Sequence, residues 1–334
     1  MKVCMTTRYF DFRNAGIGRV SSEIANGMEK RGHEVHRIST DGVGLYSYFK
    51  YTYFELPTRI PKGYDVYHAL TPMEGMWSPS NKTVTTFYDL IPMLHSDKAG
   101  SGMGGGGIKT LIGKTVFVNA CKRASRAYHI ACISEDTRQE VIKYFNVPPE
   151  RTSVIRLGIR PDLEPKPKKS GPLKVGYLGQ LDRRKRVHLL IEAIKSLPKS
   201  FNIECLIAGT GLDNESLRSE AESDPRIQFL GRINDDQLPA FYQSLNLFVF
   251  PTWVEGYGLP PVEAMACGVP TIVMRDAVIP KEVKSRCLIV DNIAEALVAK
   301  PTIDIASNLM FAKQHDWKTC IDQYEKIYNE IKEN

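Results

Sequence analysis

No C-x-x-C pair, D-x-D pair, G-x-S-x-G elbow or P-loop occurs in this sequence, and each absence removes a chemistry. Without C-x-x-C there is neither a zinc ribbon nor a redox dithiol. The seven cysteines (4, 121, 132, 205, 267, 287 and 320) are odd in number and scattered, several in apolar stretches. They read as reduced thiols acting as small hydrophobes in a cytoplasmic protein. Without D-x-D no acidic pair clamps a divalent cation on a diphosphate, so a metal-independent site with no cofactor is expected. The missing elbow and P-loop exclude the usual serine hydrolases and nucleoside triphosphatases. His33-Glu34-Val35-His36 spaces its histidines at i, i+3 on a strand-like stretch, which sends them to opposite faces instead of to one zinc ion.

Long apolar runs are missing too. None approaches the ~20 residues that span a bilayer. The start, Met1–Thr6, lacks the extended apolar core of a signal peptide and reads as a first β-strand. The net charge of +6 is modest, and no basic run is interleaved with aromatics. A phosphate-bearing small molecule is therefore a more economical partner than nucleic acid.

What remains is an ordinary globular composition, 43% hydrophobic and 25% charged, over 334 residues. That length suits two domains. Short apolar strands alternate with helix-length amphipathic segments in both halves, which implies α/β architecture with a parallel, doubly wound sheet in each. In the first half strands are expected at Lys2–Thr7, Glu34–Ile38, Tyr64–Leu70, Thr83–Phe87 and Tyr128–Ile133. A helix runs from Val20 to a stop at Gly32, and Ser134 caps another ending near Phe145. In the second half strands are expected at Leu173–Leu178, Ile203–Ala208, Ile227–Leu230, Leu247–Phe250 and Thr271–Met274. Between the halves, 161–172 holds four prolines and reads as a stiff, exposed linker. The domains expected are thus 1–160, the linker 161–172, and 173–315. Residues 316–334 form a final amphipathic helix, for which the first domain is one candidate surface. The glycine-rich stretch Ala99–Gly107 reads as a surface loop.

The most informative segment is Glu255-Gly256-Tyr257-Gly258-Leu259-Pro260-Pro261-Val262-Glu263-Ala264-Met265-Ala266-Cys267-Gly268-Val269-Pro270. Two prolines start a short helix, and Gly268 with Pro270 ends it. The amides at its start favour an anion, while the flanking carboxylates suit paired hydroxyls of a sugar or ribose. This stretch resembles the E-x7-E signature of the large retaining glycosyltransferase family numbered four, with both glutamates and their flanks in place. The resemblance implies that Glu255 and the backbone of Gly256, Tyr257, Gly258 and Leu259 hold donor sugar and diphosphate, and that Glu263 takes the ribose hydroxyls.

The likeness extends along nearly the whole chain. Gly16-Ile17-Gly18-Arg19 is similar to the glycine loop of the family's first domain, whose backbone approaches the diphosphate, and Gly32-His33-Glu34-Val35 follows where the family writes G-H-E-V. Val175–Leu190 is similar to the strand, loop and basic pair of the donor domain. It implies that Arg184 and Lys185 neutralise the diphosphate; Arg183 and Arg186 are basic as well, and the alternative of a solvated basic turn weighs more for those two. Gln180 departs from the arginine that many members carry. Gly209 lies in the second glycine turn, and Phe229, Leu230, Gly231 and Arg232 are candidates beside the base. Phe87-Tyr88-Asp89-Leu90-Ile91-Pro92 resembles a segment usually written with histidine before the aspartate. Here Tyr88 stands in its place, so Asp89 is the better candidate for catalysis. His68 and His95 are expected to be structural or on the surface.

Membership implies a GT-B fold, two Rossmann-like doubly wound domains facing across a cleft, and a hexose moved with retention from a nucleotide-diphosphate sugar. GDP-mannose leads as donor and UDP-glucose follows. A glycan, glycoprotein or lipid-linked acceptor is implied, with the protein a monomer or homodimer. Two rivals stay open: a degenerate nucleotide-sugar-binding protein, and another GT-B enzyme such as an epimerase.

Overall fold

The computed structural model describes residues 1–10, 16–40, 42, 45–96, 108–168, 170–299 and 302–333. The expected loop Ala99–Gly107 thus lies wholly outside the described residues. The chain forms two compact units. One is built from Met1–Leu94, Gly107–Gly158 and His315–Asn334, the other chiefly from Ile159–Gln314.

The first unit carries six strands: β1 (Lys2–Thr6), β2 (Glu34–Ile38), β3 (Val66–Ala69), β4 (Thr83–Phe87), β5 (His129–Cys132) and β6 (Thr152–Val154). They pair in parallel in the order β2-β1-β3-β4-β5-β6. The second unit carries β7 (Leu173–Leu178), β8 (Ile203–Ala208), β9 (Ile227–Gly231), β10 (Leu247–Val249), β11 (Thr271–Met274) and β12 (Leu288–Val290). These are also all parallel, in the order β12-β11-β10-β7-β8-β9. Both are doubly wound, Rossmann-like sheets. Their strand order reverses beside β1 and β3 in one and beside β7 and β10 in the other, the positions where such sheets open to ligands at the carboxyl ends of their strands.

Burial follows the layering. β3, β4 and β5 are buried along their whole length, as strands covered by helices on both faces must be. All seven cysteines are free and buried, and burial alone pushes the Cys4 and Cys287 thiols up to about 12. The proline-rich stretch belongs to the second unit. Leu163 is buried, Gln243 donates to the Glu164 carbonyl at 3.1 Å, and Lys168 donates to the Gln243 carbonyl at 3.1 Å. The stretch is exposed as expected at nearly every described position, Leu163 apart, and these hydrogen bonds through backbone carbonyls tie it to that unit.

The final helix, Trp317–Glu333, packs on the first unit through Ile321, Tyr324, Ile327, Tyr328 and Ile331. Under it lies a polar network. His68 Nδ1 and Tyr328 Oη are 2.6 Å apart, His68 Nε2 and Thr86 Oγ1 2.9 Å, and Thr86 Oγ1 and Tyr324 Oη 2.9 Å. At the rim Glu325 accepts from Arg31 and pairs with His33 at 2.7 Å. His68 is structural, as the sequence indicates. Burial lowers its imidazolium pKa to about 3, so it is neutral when folded. The stability this gives is complete above the unfolded histidine value of about 6.5 and is lost as pH falls from there toward 3. Urea melts of wild type and His68→Gln between pH 7 and 4.5 should therefore diverge in slope. Wild type should lose ~1.4 kcal/mol more per pH unit below pH 6. Parallel slopes would mean that His68 is protonated within the fold.

Candidate active site

At the reversal point of the second sheet, β7 runs out through Gly179 to a turn at Arg183–Lys185, capped by Asp182, whose Oδ1 accepts from the Lys185 amide at 3.2 Å. β10 runs out through Phe250-Pro251-Thr252 to Glu255. Backbone bonds zip these loops together. The Trp253 amide donates to the Arg184 carbonyl at 2.8 Å, the Leu181 amide to Thr210 at 3.0 Å, and the Asp213 amide to Leu181 at 3.0 Å. The arrangement delivers three side chains to one point. Arg184 Nη1 donates to Glu255 Oε1 at 2.9 Å and to the Val254 carbonyl at 2.8 Å. Lys185 Nζ donates to the same Glu255 oxygen, and Thr252 Oγ1 joins it at 2.7 Å.

This cluster is almost dry. Lys185 is 7% exposed and Thr252 is fully buried. Burial works against the Glu255 carboxylate, but Lys185 and Arg184 outweigh it and hold the carboxyl below the ordinary glutamate value. Burial also pulls the Lys185 ammonium below the ordinary lysine value, against the pull of Glu255. Two cations on one carboxylate leave about one unit of positive charge, held in a low-dielectric setting where it acts strongly on an anion.

The helix Leu259–Ala266 follows directly. Gly258 sits at its start with φ of 94°, a left-handed conformation that glycine adopts without cost. Gly256 and Leu259 flank this turn partly exposed, while Tyr257 is buried. Glu263 is buried one helical turn in, and Tyr242 Oη donates to its Oε2 at 2.8 Å. The glycine turns after β8 and β9 meet: the Gly209 amide donates to the Gly231 carbonyl at 2.7 Å. Arg184, Lys185 and Glu255 are thus brought together, with Gly209, Gly231, Gly256, Tyr257, Gly258, Leu259 and Glu263 on the same unit.

Gly16, Gly18 and Asp89 belong to the first unit, at the carboxyl edge of its sheet. Gly16 has φ of 78° and precedes the helix Ile17–Lys30, inside which Gly18 is buried. Asp89 Oδ1 accepts from the Ile91 amide at 2.9 Å, so it shapes the turn into Ile91–Leu94. Burial, with Asp89 next, raises the neighbouring Glu140 carboxyl to about 7. Tyr88 has its hydroxyl buried, and burial raises its pKa.

Residues 159–308 match the family model described as glycosyl transferases group 1. This part of the chain is similar to the group 1 glycosyltransferases. Among similar sequences, the O-antigen chain mannosyltransferase B of Escherichia coli is 29% identical over 60% of this chain and 60% of its own. The serotype-specific mannosyltransferase WbdA of Escherichia coli is 30% identical over 57% of this chain and 25% of its own. The chain therefore spans from a quarter to three fifths of these relatives' length. Among solved structures, the lipopolysaccharide glycosyltransferase WaaG superposes with a TM-score of 0.73 at 16% identity, covering 98% of this chain and 99% of its own. HepE of Anabaena, solved with UDP and glucose, superposes with a TM-score of 0.70 at 17% identity over 98% and 99%. These likenesses establish the GT-B α/β fold. No helix among the described residues is long and apolar enough to cross a membrane.

Within the matched segment the structure adds residues that the sequence reading missed. Thr252 and Tyr242 hold the two glutamates, and no local pattern marks them. Arg186, read as solvated, is only 9% exposed. Its guanidinium donates to the Pro251 carbonyl at 2.8 Å, to the Thr252 carbonyl at 3.1 Å, and to both oxygens of Asp276 at 2.7 and 2.8 Å. Its backbone takes φ of 50°, a left-handed conformation that costs a side-chain-bearing residue about 1–2 kcal/mol. The strap between the two strand-end loops offsets that strain. Arg183, by contrast, is exposed.

Proposed function

We propose that the protein transfers a hexosyl group from a nucleoside-diphosphate sugar to a hydroxyl of a glycan, glycoprotein or lipid-linked acceptor, with retention at the anomeric carbon. GDP-mannose is the first donor assigned and UDP-glucose the second. The observation that carries the reading is the meeting of Arg184 and Lys185 on Glu255 at the reversal point of the second sheet. It is supported by the group 1 match and by two relatives named as mannosyltransferases.

The cations suit a diphosphate, whose charge grows as it departs. Glu255 and the Gly256–Leu259 turn suit the donor's sugar, and buried Glu263 suits the ribose diol. In the step proposed, the bond from the anomeric carbon to the diphosphate oxygen breaks on the face where the acceptor oxygen bonds. The acceptor proton passes to the departing oxygen, and a nucleoside diphosphate leaves. Gly16 and Gly18 of the first unit would offer backbone to that diphosphate, and Asp89 would serve the transferred sugar. Positive charge from Arg184 and Lys185 does the work a metal ion would otherwise do, so metal-independent turnover is part of the proposal.

Calorimetric titration with GDP-mannose, UDP-glucose, GDP and UDP in the presence of EDTA tests this. Binding confined to the guanosine pair supports the first donor, and binding confined to the uridine pair replaces it with the second. Failure of all four ligands in EDTA but not with added magnesium would sink metal independence. Arg186 gives a further expectation. Arg186→Lys keeps the charge but loses the fork that holds both loops, so turnover should fall about ten- to a hundredfold by misplacing Lys185. Its melting midpoint should move by only a few degrees. Steady-state kinetics beside a thermal melt decide it, and unchanged turnover would show that the turn holds without its strap.

A further inference from the structure

The first unit carries a recess that the proposed transfer does not use. It lies beside the amino ends of β4 and β5, the sheet edge opposite to Gly16 and Asp89, and encloses about 280 Å³. Arg123, Arg126, Ser78, Ser80 and Thr83 stand on its wall, and no carboxylate does. Among the described residues neither the Arg123 nor the Arg126 guanidinium has a hydrogen bond or ion pair; the two are joined only through the backbone, the Arg126 amide donating to the Arg123 carbonyl at 3.1 Å. The Arg123 guanidinium lies 5.5 Å from the Trp77 ring centroid, and Trp77 is itself fixed by donating to the Thr52 carbonyl at 2.7 Å. The Ser78 hydroxyl is buried without a partner.

The surroundings carry one feature against an anion. The helix Ile108–Ala124 ends here, and the carbonyls at a helix C-terminus repel negative charge. Backbone amides occupy the last of these carbonyls, Ser125 donating to Cys121, Arg126 to Arg123 and Ala127 to Ala124, and just past the helix Arg151 donates to the Ser125 carbonyl at 3.1 Å and to the Ala127 carbonyl. An adjoining hollow of about 390 Å³ shares Ser80 and Arg126, but Glu150 and Glu330 line it, so the positive lobe is the first one.

We propose that this recess binds a phosphate group, with Arg123 and Arg126 as its cations and the Ser78 and Ser80 hydroxyls as donors. The group is a phosphate ester, free in solution or borne by a lipid headgroup; the chemistry of the recess is the same for both. Charged hydrogen bonds of this kind are individually strong, so loss of both arginines should weaken binding about tenfold or more.

The test has a free arm and a membrane arm. Inorganic phosphate and glycerol 3-phosphate are titrated calorimetrically at constant ionic strength, and sedimentation is measured with phosphatidylglycerol against phosphatidylcholine vesicles. Four proteins are compared: wild type, Arg123→Ser/Arg126→Ser, the charge-matched control Lys313→Ser/Lys326→Ser, and Lys185→Ala, which marks phosphate held elsewhere. Both arginines are exposed, so the paired variant should melt like wild type. Saturable binding of either source, lost in the arginine pair alone, supports the site, and the arm that binds identifies the source. The proposal is overturned if neither source binds, if binding survives the arginine pair, or if the lysine control or Lys185→Ala loses it equally.

Discussion

Replacing Lys185 by alanine is expected to cut turnover about 10²–10³-fold while leaving the second unit folded. The magnitude is that of removing one preorganised donor from the place where charge develops. Lys185 is suited to this role because it is already desolvated and fixed: it is 7% exposed, bonded to Glu255, and set on a turn whose amide is capped by Asp182. No reorganisation is needed when the diphosphate gains charge. The fold should survive because the substitution does not orphan the carboxylate. Glu255 keeps Arg184 at 2.9 Å and Thr252 at 2.7 Å, so the loss stays below the about 3–5 kcal/mol of an unpaired buried charge. Kinetics on the variant, beside circular dichroism and a melt, settle it. Turnover within a factor of a few of wild type would remove the clamp from the mechanism, and collapse of the fold would make Lys185 structural first.

Gly209→Ala is expected to unfold the second unit at much lower temperature, by about 10 °C or more. A Cβ on Gly209 would stand 1.8 Å from the Gly179 carbonyl oxygen, and the residue holds φ of 135°. The obstacle is backbone, which cannot swing aside as a side-chain tip can. Relief requires parting the loops after β7 and β8, and with them the bonds from Gly179 to Ala208 at 3.1 Å and from Gly209 to Gly231 at 2.7 Å. Gly16→Ala is the contrast. Its Cβ would meet open space, so only φ of 78° penalises it, by about 1–2 kcal/mol. Thermal melts of both variants test the difference. A Gly209→Ala protein melting close to wild type would show that the two loops part freely.

Much of this was legible along the chain. The interior strand β10 announces itself because it is buried along its whole length and its sequence, Leu247-Phe248-Val249, is continuously apolar. The edge strands β6 and β12 were not foreseen. Each is three residues long and half exposed, too short for a period to show. Ser134 was readable as a cap because the signal is local; its Oγ accepts from the Thr137 amide at 3.1 Å. Arg186 was misread because its partners lie 65 to 90 residues away, and nothing in Arg-Arg-Lys-Arg says which base turns inward. The proline-rich stretch is exposed as its composition says, Leu163 apart, but composition does not report the surface on which a stiff segment lies.

The sequence by itself determined the two doubly wound sheets and singled out Arg184, Lys185 and Glu255 as candidates, since period, capping and motif spacing are local properties. Only the tertiary structure decided that both cations converge on a single oxygen of Glu255, that Thr252 and Tyr242 hold the glutamates, and that Arg186 straps two loops together. It also decided that the last helix docks over His68. Those facts depend on which strand ends the winding order sets side by side, and that ordering is a property of the folded sheet, not of any stretch of chain.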